Sequence, residues 1–172
     1  MHRRWLPLLL LAAAFGLSSV PMADATEVWS GRTFGFSKAP FANPSLPANQ
    51  DRITASCWIT RGNTMGIYNI AQETGYIHNV SPKGTEWATG DAVNHASLTF
   101  TDWETWTNTD PPSTIGVNAC MHIQDGDIYL DIKFTSWGTL TGGGGAFSYL
   151  RALPPVVPTD KTTWGRIKAL YR

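Results

Sequence analysis

Two carboxylates in this sequence stand beside tryptophans: Glu86 precedes Trp87, and Glu104 lies between Trp103 and Trp106. An indole packed on a carboxyl strips water from it and favours the neutral form, the state a general acid needs. With Glu73, Asp102 and Asp131 they make up the set from which a two-carboxylate glycoside hydrolase would draw its acid and its base. A serine, His95 and Asp131 offer the residue types of a covalent triad, a combination almost any chain contains. No GxSxG elbow, HExxH helix or GxxxxGK(S/T) phosphate loop occurs. His78, His95 and His122 lack the close spacing of a zinc site, and Asp125-Gly126-Asp127 reads as a hairpin turn rather than a calcium loop. No metal or cofactor is expected, and the balance tilts away from catalysis.

The tryptophans carry a chemistry of recognition instead. Trp29, Trp58, Trp87, Trp103, Trp106, Trp137 and Trp164 lie beyond residue 25, several of them flanked by polar residues. Flat rings with neighbouring Asp, Lys and Thr suit a pyranose, whose CH groups stack on a ring while its hydroxyls bond polar side chains. Tyr129, Asp131, Lys133 and Trp137 share one parity of the segment from Asp127 to Trp137, and Tyr149 follows across a glycine turn. These five are the expected ligand-binding residues. For any single tryptophan, filling the core or covering its edge is the stronger expectation.

Strands must position such a platform. Ile128, Leu130, Ile132 and Phe134 alternate with Tyr129, Asp131, Lys133 and Thr135, the pattern of a strand with one buried and one wet face. Gly142 to Gly145 can take positive φ at little cost, and Ala146 to Ala152 resumes as the second arm of a β-hairpin. Ile53, Ala55, Cys57 and Ile59 share a parity between Arg52 and Arg61, as do Ala96, Leu98 and Phe100 between His95 and Trp106. Short strands are also expected at Val28 to Phe36, Met65 to Ile70, Gly75 to Val80 and Val117 to Ile123. Pro40, Pro44 and Pro47 bar a central strand from Ala39 to Gln50, and Asp110-Pro111-Pro112-Ser113 is a turn.

The 172 residues hold 13 Lys+Arg and 13 Asp+Glu, 42% hydrophobic residues and only 15% charged ones. So apolar and neutral a chain is neither a disordered tail nor a protein whose main partner is nucleic acid. His2, Arg3 and Arg4, the apolar run Trp5 to Leu17 and Ala23-Asp24-Ala25 form the three parts of an export leader, with cleavage expected after Ala25. The apolar run is shorter than the roughly 20 residues a membrane span needs. Losing Arg3, Arg4 and Asp24 leaves 11 basic and 12 acidic side chains, a net charge of −1. The mature protein is expected to be secreted, at the cell surface or in the periplasm, with no membrane span. In such a compartment the even pair Cys57 and Cys120 is expected to form a disulfide, the alternative being two buried thiols. The parity of Cys120, which alternates with Ala119, Met121 and Ile123, speaks against the bridge. Past Pro154 to Pro158, residues Trp164, Ile167, Leu170 and Tyr171 recur at helical spacing with Thr163 as N-cap, so a short basic amphipathic helix is expected there.

Several phrases resemble a family of uncharacterised bacterial secreted proteins. They are Asp51-Arg52-Ile53-Thr54, Trp58-Ile59-Thr60-Arg61-Gly62, Thr85-Glu86-Trp87-Ala88-Thr89-Gly90, the run Asp127 to Trp137, and Gly143-Gly144-Gly145-Ala146-Phe147-Ser148-Tyr149. The resemblance covers roughly Val28 to Ala152; it implies export and β-rich character and supplies no site. The expected architecture is all-β: a leader (1–25), a single antiparallel β-sandwich of jelly-roll type (26–153), and a Pro-rich linker with the short C-terminal helix (154–172). The expected function is an extracellular binding module for glycan or another surface polymer. An adhesive surface protein with a protein partner, or a two-carboxylate glycoside hydrolase, are the alternatives.

Overall fold

The structure is a computed structural model that describes residues 25–156; the expected tail helix and all of the expected leader but Ala25 lie outside the described residues. In chain order the strands are β1 (Glu27–Trp29), β2 (Thr33–Lys38), β3 (Asp51–Arg52), β4 (Trp58–Arg61), β5 (Ile67–Asn69), β6 (Thr85–Thr89), β7 (Ala119–Ile123), β8 (Ile128–Trp137) and β9 (Phe147–Ala152). Two short helices, α1 (Trp103–Trp106) and α2 (Leu140–Gly143), and 3-10 turns at Pro47–Asn49, Ala92–Ser97 and Pro111–Thr114 complete the path. The fold is all-β. None of the described helices is long and apolar enough to cross a membrane.

The larger sheet runs β2-β9-β8-β7-β6 with every neighbour antiparallel, a meander from β6 to β9 with β2 added at its edge. β1 joins it in parallel to β8, along Ile128 to Leu130, while β9 pairs with the same edge further on, from Ile132 to Trp137. β3, β4 and β5 form a separate antiparallel sheet. Both sheets feed one core: Ile59 and Ile67 of the smaller cluster with Leu130, Phe134, Phe147 and Tyr149 of the larger. The expected strand from Val28 to Phe36 is thus two strands on different partners. The expected strand from Gly75 to Val80 is a loop, because Asn79 turns back at φ 57 and gives its N–H to Glu104 at 2.8 Å. Ala96 belongs to a 3-10 turn rather than a strand.

The alternation of β8 holds through Phe134 and then breaks. Ile128, Leu130, Ile132 and Phe134 are buried, and Tyr129, Asp131 and Lys133 are half-buried on the other face. Phe134 pairs with Tyr149 and Ser136 with Ser148, so Thr135 is an extra residue in β8. The hydroxyls of Thr135 and Ser136 both bond Ser148, at 2.7 and 2.6 Å. A bulge of one residue reverses parity beyond it. Trp137 therefore returns to the core side, where its ring meets Phe134, Phe147 and Trp103.

Charge is buried in this core as well. Asp51 of β3 accepts hydrogen bonds from Arg151 Nε (2.6 Å) and Nη2 (2.8 Å) and from the Tyr149 hydroxyl (2.7 Å). All three groups are buried, and the carboxylate ties the small sheet to β9. Paired and hydrogen-bonded in this way, two charges can be held out of water. Cys57 and Cys120 are not bridged: both are free and buried. Cys57 belongs to the hydrophobic core cluster, which Cys120 does not join; Cys120 pairs with Asp131 on the other face of β7. Burial pushes each thiol up to about 12, leaving them as neutral, unreactive small groups.

Candidate functional site

The five residues expected to form one platform are divided between the two faces of the sheet. Tyr129, Asp131 and Lys133 keep the outer face, but it is not open. The 3-10 turn Ala92–Ser97 lies over it: the Ala92 N–H donates to Asp131 Oδ1 at 2.6 Å, and His95 and His122 stack on either side of the Tyr129 ring, each at 4.2 Å. His122 in turn bonds Glu86 through Nδ1 (3.2 Å) and Asp127 through Nε2 (3.0 Å). Glu86 is thus engaged on the outer face. Asp131 and Lys133 line a smaller recess of about 230 Å³ together with Asp91, Asn118 and Leu150. Tyr149 is 1% exposed and belongs to the core, and Trp137 follows it to that side through the bulge.

Trp137 instead lines a cleft of about 610 Å³. Four pieces of chain build its walls. The end of β4 and the turn after it bring Arg61, Met65 and Gly66; the loop after β5 brings Tyr76 and His78; α1 and the segment behind it bring Trp103, Glu104 and Asp110 with Pro111 and Pro112; the end of β8 brings Trp137. α1 is a single turn set in place by Asp102, whose carboxylate caps it by accepting the Thr105 N–H at 3.0 Å. Gly66 is required by packing, since a Cβ there would stand 2.4 Å from the Tyr76 ring and 2.5 Å from that of Trp103. The glycine lets both aromatics meet in the cleft wall.

The aromatic groups form a row. The Arg61 guanidinium lies over Trp137 at 3.8 Å; Trp137 meets Trp103 at 5.5 Å, Trp103 meets Tyr76 edge-on at 6.2 Å, and Tyr76 meets His78 at 5.2 Å. The row begins at a cation and ends at a histidine–carboxylate pair, His78 Nδ1 to Glu104 Oε1 at 2.9 Å. Glu104 reaches the cleft as its position between two tryptophans suggested, but with the opposite electrostatics. The hydrogen bonds of His78 and of the Asn79 N–H hold its carboxyl below the usual carboxylate range. Burial and the Glu104 carboxylate push the Tyr76 phenol up, so it stays a donor. A general acid needs its carboxyl raised, so Glu104 is suited to accept hydrogen bonds from hydroxyl groups. Trp103 Nε1 is the one buried side-chain nitrogen or oxygen among the described residues with no hydrogen-bond partner.

Arg61, Tyr76 and His78 escaped the sequence reading as binding residues, and Trp103 entered it only as one of the seven tryptophans and a neighbour of Glu104. One signal was present for Arg61: it continues the apolar parity of Cys57 and Ile59, where a charge is out of place. The others come from segments whose turns the sequence does not spell. Among the described residues no group of three His, Cys, Asp or Glu side chains is close enough to hold a metal ion. No family model, no curated protein and no solved structure matches this chain.

Proposed function

We propose that the chain is an exported module that binds a glycan, or another polyhydroxylated surface polymer, in the cleft lined by Trp137, Trp103 and Tyr76. One observation carries this reading: an unbroken row of aromatic groups edges a cleft whose polar groups, Arg61, His78, Glu104 and Asp110, include both donors and acceptors. Sugar rings require that mixture of apolar faces and hydrogen-bonding groups. Export rests on the leader features of residues 1–25 and sets where such a polymer is met. Glu104 and Asp110 share the cleft, which a two-carboxylate hydrolase would need, yet the lowered carboxyl of Glu104 favours holding a ligand over protonating one.

The test is affinity electrophoresis of the purified chain through gels carrying a panel of neutral and acidic polysaccharides. Retardation by at least one of them is expected. Tyr76→Ala should weaken that binding by about 30-fold, the usual cost of an aromatic anchor of about 2 kcal/mol, while Lys133→Ala on the outer face leaves it unchanged. The reverse pattern would move the site to the recess beside Asp131. No retardation by any polysaccharide would remove the glycan reading.

A further inference from the structure

Arg61 is 5% exposed, and no carboxylate forms a salt bridge with it among the described residues. Its guanidinium is held by carbonyl oxygens alone: Nε donates to Met65 O at 2.8 Å, and Nη1 donates to Gly138 O at 3.0 Å and Ala146 O at 2.9 Å. A guanidinium carries five N–H bonds, and these contacts use three. The two on Nη2 have no described partner. Lys38, 2% exposed, adds a second cation without a carboxylate, bonded only to Ala39 O and Gly145 O at 3.5 and 3.4 Å. Both cations thus contact the chain between Gly138 and Ala146, and Arg61 lines the cleft. Nη2 is not sealed from solvent, so the free end of this otherwise buried cation is open to an incoming anion, which can offset the cost of holding the charge at depth without a counter-ion.

We infer that the ligand of this cleft carries an oxyanion, the carboxylate of a uronate or a sulfate ester on a sugar chain, which accepts the two N–H bonds of Arg61 Nη2. This deepens the glycan reading and rests on it. With Nε and Nη1 already committed, the anion docks end-on at one nitrogen rather than across the two-nitrogen fork. Trp137, covered on one side by the guanidinium, holds that group flat and fixes where Nη2 stands. The acidic side chains of the cleft do not compete for this end. Glu104 is occupied by His78 and the Asn79 N–H at the far end of the aromatic row, and Asp110 is exposed.

The experiment pairs ligands that differ only in charge: oligogalacturonate against its methyl ester, and sulfated against unsulfated galactan, each titrated calorimetrically into the purified chain. At least one anionic member should bind about tenfold or more tightly than its neutral twin, with affinity falling as salt rises. The two pairs separate carboxylate from sulfate as the source. In parallel, the Arg61 Nε–H signal followed by NMR should move with the anionic ligand and stay still with the neutral one. This measurement needs no variant, so the hydrogen bonds by which Arg61 holds Gly138 O and Ala146 O stay intact throughout. Equal affinity for charged and neutral twins would overturn the inference and leave the glycan reading standing. So would an anion preference that leaves the Arg61 signal unmoved. Failure of every polysaccharide to bind would take both away.

Discussion

Arg151 and Arg61 are buried to nearly the same degree, 6% and 5% exposed. Arg151 faces a carboxylate that takes two of its N–H bonds, with Tyr149 completing the acceptor. Its charge stays high: although burial works against it, the hydrogen bonds to Asp51 raise the arginine above its ordinary value. Arg61 hydrogen-bonds only to carbonyl oxygens, and burial pulls it down to about 10. The same side chain at the same depth is a finished internal pair in one place and an unneutralised charge beside a cleft in the other. The difference separates what holds the fold together from what is left available to a ligand.

The largest effect should come from breaking the finished pair. Asp51→Ala leaves Arg151 buried without its counter-charge, and urea denaturation should show a loss of about 3–5 kcal/mol. A loss below about 1 kcal/mol would mean that the two arginines do not differ as described. Next comes Trp137→Ala, which removes the ring beneath Arg61 and opens a void against Phe134 and Phe147; about 3 kcal/mol is expected. An unchanged melting temperature would return Trp137 to the surface role its odd parity suggested.

Gly145→Ala probes the carbonyl clamp itself. Gly145 sits at φ +68, and a Cβ there would stand 1.6 Å from Gly62 O, so the backbone must move. A loss of about 2 kcal/mol is expected, with faster amide exchange between Gly138 and Ala146.

The smallest effect belongs to the exposed end of the cleft. The bonds from His78 and Asn79 lower the Glu104 carboxyl in the folded state. They contribute stability that is present above the unfolded carboxylate value and is lost as pH falls through the folded one. His78→Ala should therefore cost less than about 1 kcal/mol at pH 7, and its melting curve should converge with that of the parent as pH is lowered from 5 to 3.

How much of this was written in the residues depends on whether neighbours along the chain or neighbours across it decide. The inward row Ile128, Leu130, Ile132 and Phe134 and the hairpin after it were legible, because period two is a local property. The bulge was not. Thr135 and Ser136 are both polar and fit either face, so nothing in the sequence announces the extra residue that carries Trp137 inward. Glu104 was legible as a candidate because its tryptophan neighbours are adjacent, but the sign of its shift was set by His78 and Asn79, some 25 residues upstream. The cysteines were misjudged by counting, although their parities already placed them on opposite sides. Arg61 shows the remaining gap: its oddity was visible, its partners were not.

The parallel pairing of β1 with β8 has a consequence in time. Glu27 lies opposite Ile128, so β1 has no partner until about a hundred residues more have been made. β7 to β9, by contrast, pair with their successors in turn, joined by a four-residue turn between β7 and β8 and a nine-residue connection between β8 and β9. Closing short loops costs less entropy than closing long ones, so the meander is the natural nucleus and β1 docks last. Trp29, buried at the end of β1, then acts as a latch: stopped-flow measurements on Trp29→Phe should show faster unfolding and nearly unchanged folding.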